Sequence, residues 1–388
     1  MKTYLTVAAG APMLLVAAVA GANYVLDPYL IHQWDTPKVL RLRQPVEKLN
    51  AWGKTYAVAV YQPHTIYLGN SRTELGLAVA KDGNTRVFNA ALSGSTLGDA
   101  IRMLGHARQS GPVRRVIWGI DAPSFTLTAG NSELEPALLA KDDAYFARRV
   151  LLDLQRAVSM DMSRETLALL RGQTEPICHA SLARFGQRDN ACMRHRIAGW
   201  GGTGAVIGAR TREFLRGEGP RESALPALEQ ALRSACHIQW RLYVNPTHAM
   251  TIDAMYWAGR GGQYEAWLQA ITGVGERMRR AGCDVRIYDF SGFNSVTSEA
   301  VPRAGDRSDM RNYWETSHYR DHVGAAILAR LTGGAAAPDG FGTELTPVSI
   351  GRHIEGQRTA RAAYLVDRPY EAAWAQRIAA APFSQGSD

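Results

Sequence analysis

A serine and a histidine that are far apart in the chain carry the strongest chemical signal. Ser71 follows the apolar run 65–68, and Glu315 stands three residues before His318. A serine just after a buried strand becomes a nucleophile when a histidine takes its proton, and a nearby carboxylate fixes the tautomer of the ring. The pattern predicts a catalytic set of Ser71, His318 and Glu315. Taken singly, the same residues also suit helix caps and a surface helix start.

Two further positions are candidate donors for an oxyanion. Gly94 lies in a loop after the second apolar run, and Asn245 ends a later run. A backbone N–H at Gly94 and the side-chain amide of Asn245 are the donor types that stabilise a tetrahedral intermediate. A plain turn is the alternative for each. Arg72 and His248 are candidate substrate contacts.

Other polar residues give weaker signals. Asp121 and Asp289 end predicted strands and either line a cleft or cap the following helices, and we favour caps. His318 and His322 are four residues apart, which suits a metal on one helix face, but no HExxH pattern or third ligand accompanies them. We therefore expect neither a metal nor an organic cofactor.

Strand-like and helical patterns alternate along much of the chain. Apolar runs predict strands at 64–68, 87–91, 113–120, 238–244 and 285–290. Helical spacing recurs at 97–108, 225–235, 264–280 and 318–331. This alternation predicts a three-layer α/β/α flavodoxin-like domain with a parallel sheet over residues 61–332. Residues 125–224 are predicted to form a mainly helical insertion, and residues 333–388 a peripheral tail with a short helix.

The N-terminal stretch is apolar and uncharged from Leu5 to Val25. That length suits a bilayer-spanning helix, so residues 1–25 are predicted to be a signal anchor, followed by a membrane-proximal segment at 26–60. A cleaved signal peptide is the alternative. Either interpretation places the domain on the exported, periplasmic side of the cytoplasmic membrane.

Composition narrows the classes of function. The chain has 388 residues with 46% hydrophobic and 21% charged residues, which excludes wholesale disorder. The net charge of +8 suits a membrane-proximal domain or an acidic polymer as partner. No Walker A lysine motif and no GxSxG motif is present, and the glycine-rich stretch 201–208 does not satisfy GxGxxG and follows no predicted strand. Nothing indicates nucleic-acid binding.

The four cysteines leave two interpretations open. In an oxidising compartment Cys178 would pair with Cys192 and Cys236 with Cys283. Buried free thiols are the alternative. The spacing has no CxxC pair and does not suit zinc.

The order of these segments resembles the SGNH (GDSL-like) hydrolase superfamily. The shared order is a serine after the first strand, a glycine after the second, an asparagine after a later strand and an acid-x-x-His near the end. The chain is most similar to the membrane-anchored exported branch related to alginate-acetylation and teichoic-acid D-alanylation proteins, where Gly-x-Ser-Arg replaces the GDSL signature. It departs from the usual pattern at three positions, namely Asn70, Glu315 and the Asn-Pro at Asn245.

The resemblance implies a serine-dependent acyl ester hydrolase or O-acyltransferase acting on a cell-surface carbohydrate. Ser71 would be the nucleophile, His318 the base, Glu315 the orienting acid and Gly94 an oxyanion donor. A multi-spanning membrane acyltransferase would be the partner if the reaction is transfer. The alternative is a catalytically inactive domain that binds polysaccharide or serves as a membrane-assembly scaffold. A metal-dependent esterase using His318 and His322 is a third hypothesis.

Overall fold

A six-stranded sheet forms the centre of the protein. The computed structural model describes residues 2–29, 31–32, 50–79, 86–172, 185–188, 190–217, 219–303, 305–334, 338 and 340–381. The strands in chain order are β1 (Thr65–Leu68), β2 (Val87–Asn89), β3 (Arg115–Ile120), β4 (Gln239–Val244), β5 (Val285–Asp289) and β6 (Thr343–Glu344).

The order of the strands in the sheet is β2-β1-β3-β4-β5-β6. Strands β1 to β5 are parallel, and β6 pairs antiparallel with β5. The five predicted strands are confirmed, each with slightly shorter bounds. The order 2-1-3-4-5 is that of doubly wound, flavodoxin-like sheets, which bind ligands where the order reverses, here beside β1 and β3.

The described part of the chain contains fourteen α-helices. They are α1 (Lys2–Leu26), α2 (Asn50–Tyr61), α3 (Ser71–Gly76), α4 (Leu97–Ser110), α5 (Tyr145–Ala157), α6 (Met160–Leu170), α7 (Asn190–Gly199), α8 (Thr203–Arg216), α9 (Leu225–Arg233), α10 (Ala249–Trp257), α11 (Gly261–Arg280), α12 (Asp321–Thr332), α13 (Ile350–Asp367) and α14 (Pro369–Ala380).

Strands β1, β3 and β4 are buried on both faces, which explains their largely apolar sequences. All four residues of β1 are buried, and so are the last five of β3 and of β4. Trp118 and Trp240 pack in the core with ring centroids 6.4 Å apart. The sheet therefore needs helices on each side, and it has them.

The helices form two groups, as expected for a three-layer α/β arrangement. In one group, α3 contacts α12. In the other group, α9 contacts both α4 and α11. Gly324 of α12 lies so close to the Gly76 carbonyl of α3 that a Cβ there would overlap it. The absence of a side chain at Gly324 therefore permits the close approach of α3 and α12.

Two regions outside the five parallel strands contribute to the packing. The insertion between β3 and β4 is mainly helical, as predicted, and holds α5 to α8. The tail was expected to be peripheral, but it supplies β6, α13 and α14. Helix α14 packs against α10 and α8 and buries Ala375 and Ile378. The expectation of a peripheral tail is therefore wrong for residues 343–380.

The N-terminal helix α1 attaches to the insertion. Asn23 donates from Nδ2 to the Ala157 carbonyl at 2.7 Å and to Ser163 Oγ at 3.0 Å. The sequence predicts a membrane-spanning helix over residues 5–25. Across the described ranges, the structure contains no helix whose length and apolar character would allow it to cross a membrane.

One predicted disulfide lies within the described residues. Cys236 and Cys283 are bonded, with Cα atoms 4.7 Å apart. The two cysteines stand just before β4 and β5, which are adjacent, and this explains their proximity. The predicted pairing of Cys178 with Cys192 falls outside the residues and side chains that the structure describes.

Candidate active site

The turn between β1 and α3 presents Ser71 at the carboxyl edge of the sheet. Gly69 has φ of +142°, a conformation that L side chains rarely adopt, and a Cβ there would come within 2.9 Å of the Gly119 carbonyl. Asn70 caps α3 by accepting from the Arg72 N–H at 3.1 Å. Ser71 is thus the first residue of the helix rather than its cap, which leaves its hydroxyl available.

A short loop carries the histidine to the same edge. Tyr313 and Tyr319 form an isolated antiparallel bridge, so the residues between them make a tight loop. Tyr313 donates to the Pro246 carbonyl at 2.7 Å, and Tyr319 donates to Asn245 Oδ1 at 3.3 Å. Both tyrosines are fully buried. The loop is therefore fixed to the end of β4, and it precedes α12 rather than belonging to it.

The structure brings the three predicted catalytic side chains together. His318 Nε2 lies 2.7 Å from Ser71 Oγ. His318 Nδ1 is bonded to Glu315 Oε1 on the other side of the ring. Ser71 is half-buried, His318 is 7% exposed and Glu315 is fully buried. Access to solvent therefore decreases from Ser71 to Glu315, and a buried acid beside the histidine is also the arrangement of a serine–histidine–acid triad.

The carboxylate of Glu315 is held in its charged form. Burial raises its pKa, but the His318 ring, Arg210 and the Ser317 N–H more than offset this, so the pKa of Glu315 is lowered. The Ser317 N–H donates to Oε2 at 2.6 Å, and Arg210 Nε lies 3.9 Å from Oε1. A charged Glu315 accepts from His318 Nδ1–H, which leaves Nε2 free to take the serine proton.

Arg72 was expected to contact substrate, and the structure gives it another role. It is 8% exposed and pairs with Asp121. Its Nε donates to the Ser317 carbonyl at 3.1 Å, and Nη2 donates to Ser317 Oγ at 3.0 Å. Arg72 therefore connects the helix that begins at Ser71 to the residue before His318. It is a positioning residue.

Asn245 was predicted to be an oxyanion donor, but its amide is part of the scaffold. The side chain is fully buried, Nδ2 donates to Asp121 Oδ2 at 3.0 Å and Oδ1 accepts from Tyr319. Because both ends of the amide have partners in the protein, we assign Asn245 to the support of the histidine loop.

His248 is likewise inside the scaffold rather than at a substrate surface. It is fully buried, its Nδ1 accepts from the Met250 N–H at 3.2 Å, and Nε2 bonds to the Glu299 carbonyl at 3.0 Å. Burial lowers the pKa of His248 to about 4. A neutral ring that caps α10 explains these contacts, so the expected substrate contact is corrected.

Gly94 lies in a loop beside the serine turn. The loop is attached there because the Leu92 N–H donates to the Gly69 carbonyl at 3.1 Å. Gly94 is exposed and has φ of +71°, which favours glycine. These contacts place the loop of Gly94 next to the turn that carries Ser71. The role of Gly94 as an oxyanion donor stays a prediction.

The two histidines proposed for a metal do not act together. The nitrogens of His318 face Ser71 and Glu315, whereas His322 Nε2 bonds to Asn312 Oδ1 at 3.1 Å. No group of three or more His, Cys, Asp and Glu side chains is arranged to hold a metal ion within the described ranges.

Asp121 is the main supporting residue that sequence reasoning misassigned. It was expected to cap a helix, but its side chain makes no cap hydrogen bond. It accepts instead from Asn70 at 2.7 Å and from Asn245, and pairs with Arg72. Its position at the end of β3, next to β1, was the available signal. Arg210 was not singled out because only the folded insertion brings it near Glu315.

The comparisons with known proteins give no relative for this chain. No protein-family model matches it, and no curated protein or solved structure matches it either.

Proposed function

We propose that the protein is a serine-dependent acyl ester hydrolase or O-acyltransferase. The observation that carries this proposal is the continuous arrangement of Ser71 Oγ, both ring nitrogens of His318 and the buried carboxylate of Glu315. Its location at the carboxyl edge, where the strand order reverses between β1 and β3, also favours a ligand site. The resemblance to SGNH hydrolases in segment order is consistent with this chemistry.

The reaction proceeds through an acyl-enzyme. Ser71 Oγ bonds to the acyl carbon while its proton moves to His318 Nε2, and Glu315 stabilises the imidazolium that forms. The tetrahedral intermediate collapses, the leaving alkoxide takes the proton from Nε2, and the acyl group remains on Ser71. Water or a sugar hydroxyl then attacks, giving its proton to Nε2, and Ser71 recovers a proton as the acyl group departs.

The substrate class and setting follow from the resemblance and are part of the proposal. A small acyl group, acetyl in the simplest case, on a cell-surface carbohydrate is the proposed substrate. The proposed location is the exported face of the cytoplasmic membrane. If the reaction is transfer, a multi-spanning membrane acyltransferase would supply the acyl group.

Labelling and turnover of the full chain test the proposal. The purified protein is treated with a fluorophosphonate probe and assayed with p-nitrophenyl acetate, next to Ser71→Ala and Ser124→Ala variants. Ser124 is the matched control because it stands near the same edge and its hydroxyl makes only long contacts of 3.4 Å and 3.5 Å. We expect Ser71→Ala to abolish labelling and to lower kcat/KM by at least about 10³-fold.

Two outcomes would count against the proposal. Labelling of Ser71→Ala at the rate of the unchanged protein would place the nucleophile elsewhere. A properly folded chain that neither labels nor turns over any acyl ester would favour the inactive polysaccharide-binding or assembly scaffold instead.

A further inference from the structure

Helix α5 has its apolar side facing solvent. Phe146, Val150, Leu151, Leu154 and Val158 are all exposed, by 48% to 63%. The spacing of four residues between most of them places them on one face of the helix. A surface helix of a water-soluble domain normally turns such a face to the core.

Buried charges fix this unusual orientation. Arg149 is 1% exposed and donates to the Trp52 carbonyl at 2.7 Å and to Thr55 Oγ1 at 3.0 Å. It also pairs with Asp153 at 2.9 Å. Because charged groups inside a protein need such partners, rotating α5 to bury its apolar face would break this set. The exposure of the apolar face is therefore built into the fold.

Helix α6 also exposes apolar residues, and the N-terminal helix is attached to both α5 and α6. Met160 and Leu170 of α6 are 70% and 65% exposed. Asn23 of α1 bonds to both helices, through the Ala157 carbonyl and Ser163 Oγ. Helix α1 is therefore attached to both helices, at the end of α5 and the beginning of α6.

The middle of α1 indicates what covers this surface. Residues 11–18 of α1 are apolar and all exposed, and the consecutive residues Met13, Leu14, Leu15 and Val16 are 54% to 73% exposed. Consecutive residues point to all sides of a helix, so no face of this segment is polar. A second copy or a protein partner covers one stripe of a helix, whereas a lipid phase surrounds it.

We propose that α5 and α6 lie in the interfacial region of a lipid bilayer that also takes up residues 11–18 of α1. Two separate contacts, the N-terminal helix and the face of α5 and α6, would then fix the orientation of the domain on the membrane. Exposed charges near the face have both signs, as at Asp143, Asp161, Arg164 and Arg171. The binding is therefore driven by apolar burial rather than by anionic lipid. It does not depend on the serine chemistry.

Oxidative footprinting of the full chain in vesicles tests the membrane contact. The protein is reconstituted into neutral phosphatidylcholine vesicles and exposed to hydroxyl radicals, and oxidation rates are compared with those of the urea-unfolded chain. We expect at least about fivefold protection of Met160 and Leu151, which are exposed in the protein alone. Val366, an apolar residue that is 77% exposed on α13, is the control and should show little protection.

A double variant on α5 distinguishes the membrane contact of the α5 face from the attachment of the protein to the vesicles through α1. Leu151→Glu combined with Leu154→Glu places two charges on the face, and we expect Met160 protection to fall several-fold while α1 still holds the protein on the vesicles. Val366→Glu should leave the footprint unchanged. Oxidation of Met160 and Leu151 at their unfolded rates in vesicles would overturn the proposal. So would protection that disappears when protein is diluted at constant lipid, because that result identifies a second copy.

Discussion

Replacing Glu315 by glutamine tests the role of the buried carboxylate with the smallest change of shape. The carboxylate accepts from His318 Nδ1, which keeps Nε2 as the proton acceptor for Ser71. A glutamine amide can donate to Nδ1 instead. That contact would place the ring proton on Nε2, where it blocks removal of the serine proton.

The expected loss can be worked from the charges at the site. His318 becomes positive in the transition state, and the charge of Glu315, which is fully buried, is its nearest compensation. Two unit charges about 4 Å apart interact by about 4 kcal/mol at an effective dielectric constant of roughly 20. Each ~1.4 kcal/mol changes the rate about tenfold, which gives about 10³-fold. The wrong tautomer adds to this, so we expect kcat/KM to fall by about 10³- to 10⁴-fold.

Turnover of p-nitrophenyl acetate by the full chain measures this loss. Glu315→Asp is the conservative variant, because it keeps the charge and changes only the reach, and it should retain more activity than Glu315→Gln. Glu213→Gln is the matched control, since Glu213 is the other carboxylate that pairs with Arg210, at 2.6 Å, and it is exposed. Thermal unfolding of each variant shows whether the fold is intact.

A folded Glu315→Gln protein that stays within about threefold of the unchanged kcat/KM would refute the reasoning. The proximity of Glu315 to His318 would then be structural only. Equal losses in Glu315→Gln and Glu213→Gln would instead assign the effect to Arg210.

Three further predictions concern positioning, pH and the disulfide. Arg72→Lys keeps the charge beside Asp121 but loses the forked contacts to Ser317. We therefore expect kcat to fall about tenfold with little change in KM. An unchanged kcat would show that Arg72 does not support the site. Burial lowers the pKa of His353, but its bond and charge interaction with Asp289 more than offset this and raise it. This contribution to stability is therefore complete below about pH 6.5 and lost as pH rises through the higher folded pKa. His353→Gln should flatten the Tm-against-pH curve on the alkaline side of that value, and parallel curves would contradict the assignment. Cys236→Ser combined with Cys283→Ser opens a link across 47 residues and should lower the free energy of unfolding by about 4 kcal/mol in denaturant titrations. A loss near zero would mean that the disulfide constrains the unfolded chain very little.

The parts of the fold that the sequence predicted are those whose signals are local. The runs that became β1, β3 and β4 are largely apolar because these strands are buried on both faces, so their positions could be predicted from the sequence. Strand β6 has two residues, and its pairing depends on a chain segment returning to β5. Such a strand leaves no pattern of its own. The same holds for the packing of α14, which depends on contacts with α10 and α8.

Some features of the candidate site could likewise be predicted from the sequence, and others could not. Ser71 and His318 meet because strand ends and the loops after them share one edge of a parallel sheet, and that inference needed only the order of elements. The residue type alone did not show whether a side chain contacts the substrate or supports the surrounding structure. Asn245 and His248 have the chemistry of ligand-binding residues, but the surrounding structure buries both and supplies partners for their polar atoms. Whether Asn245 and His248 are buried depends on chain segments that are far from them in the sequence.

The asparagine at position 70 is explained by Asp121, the residue that directly follows the neighbouring strand β3. The resemblance proposed from the sequence places this position where many SGNH hydrolases have aspartate. Here Asn70 donates to Asp121 at 2.7 Å while its oxygen caps α3. A carboxylate at position 70 would oppose that of Asp121 at hydrogen-bond distance, and like charges so close and so little hydrated are strongly unfavourable. An amide can donate to one neighbour and accept from the other. The asparagine therefore follows from Asp121, whose charge holds Arg72 and thereby the residue next to His318.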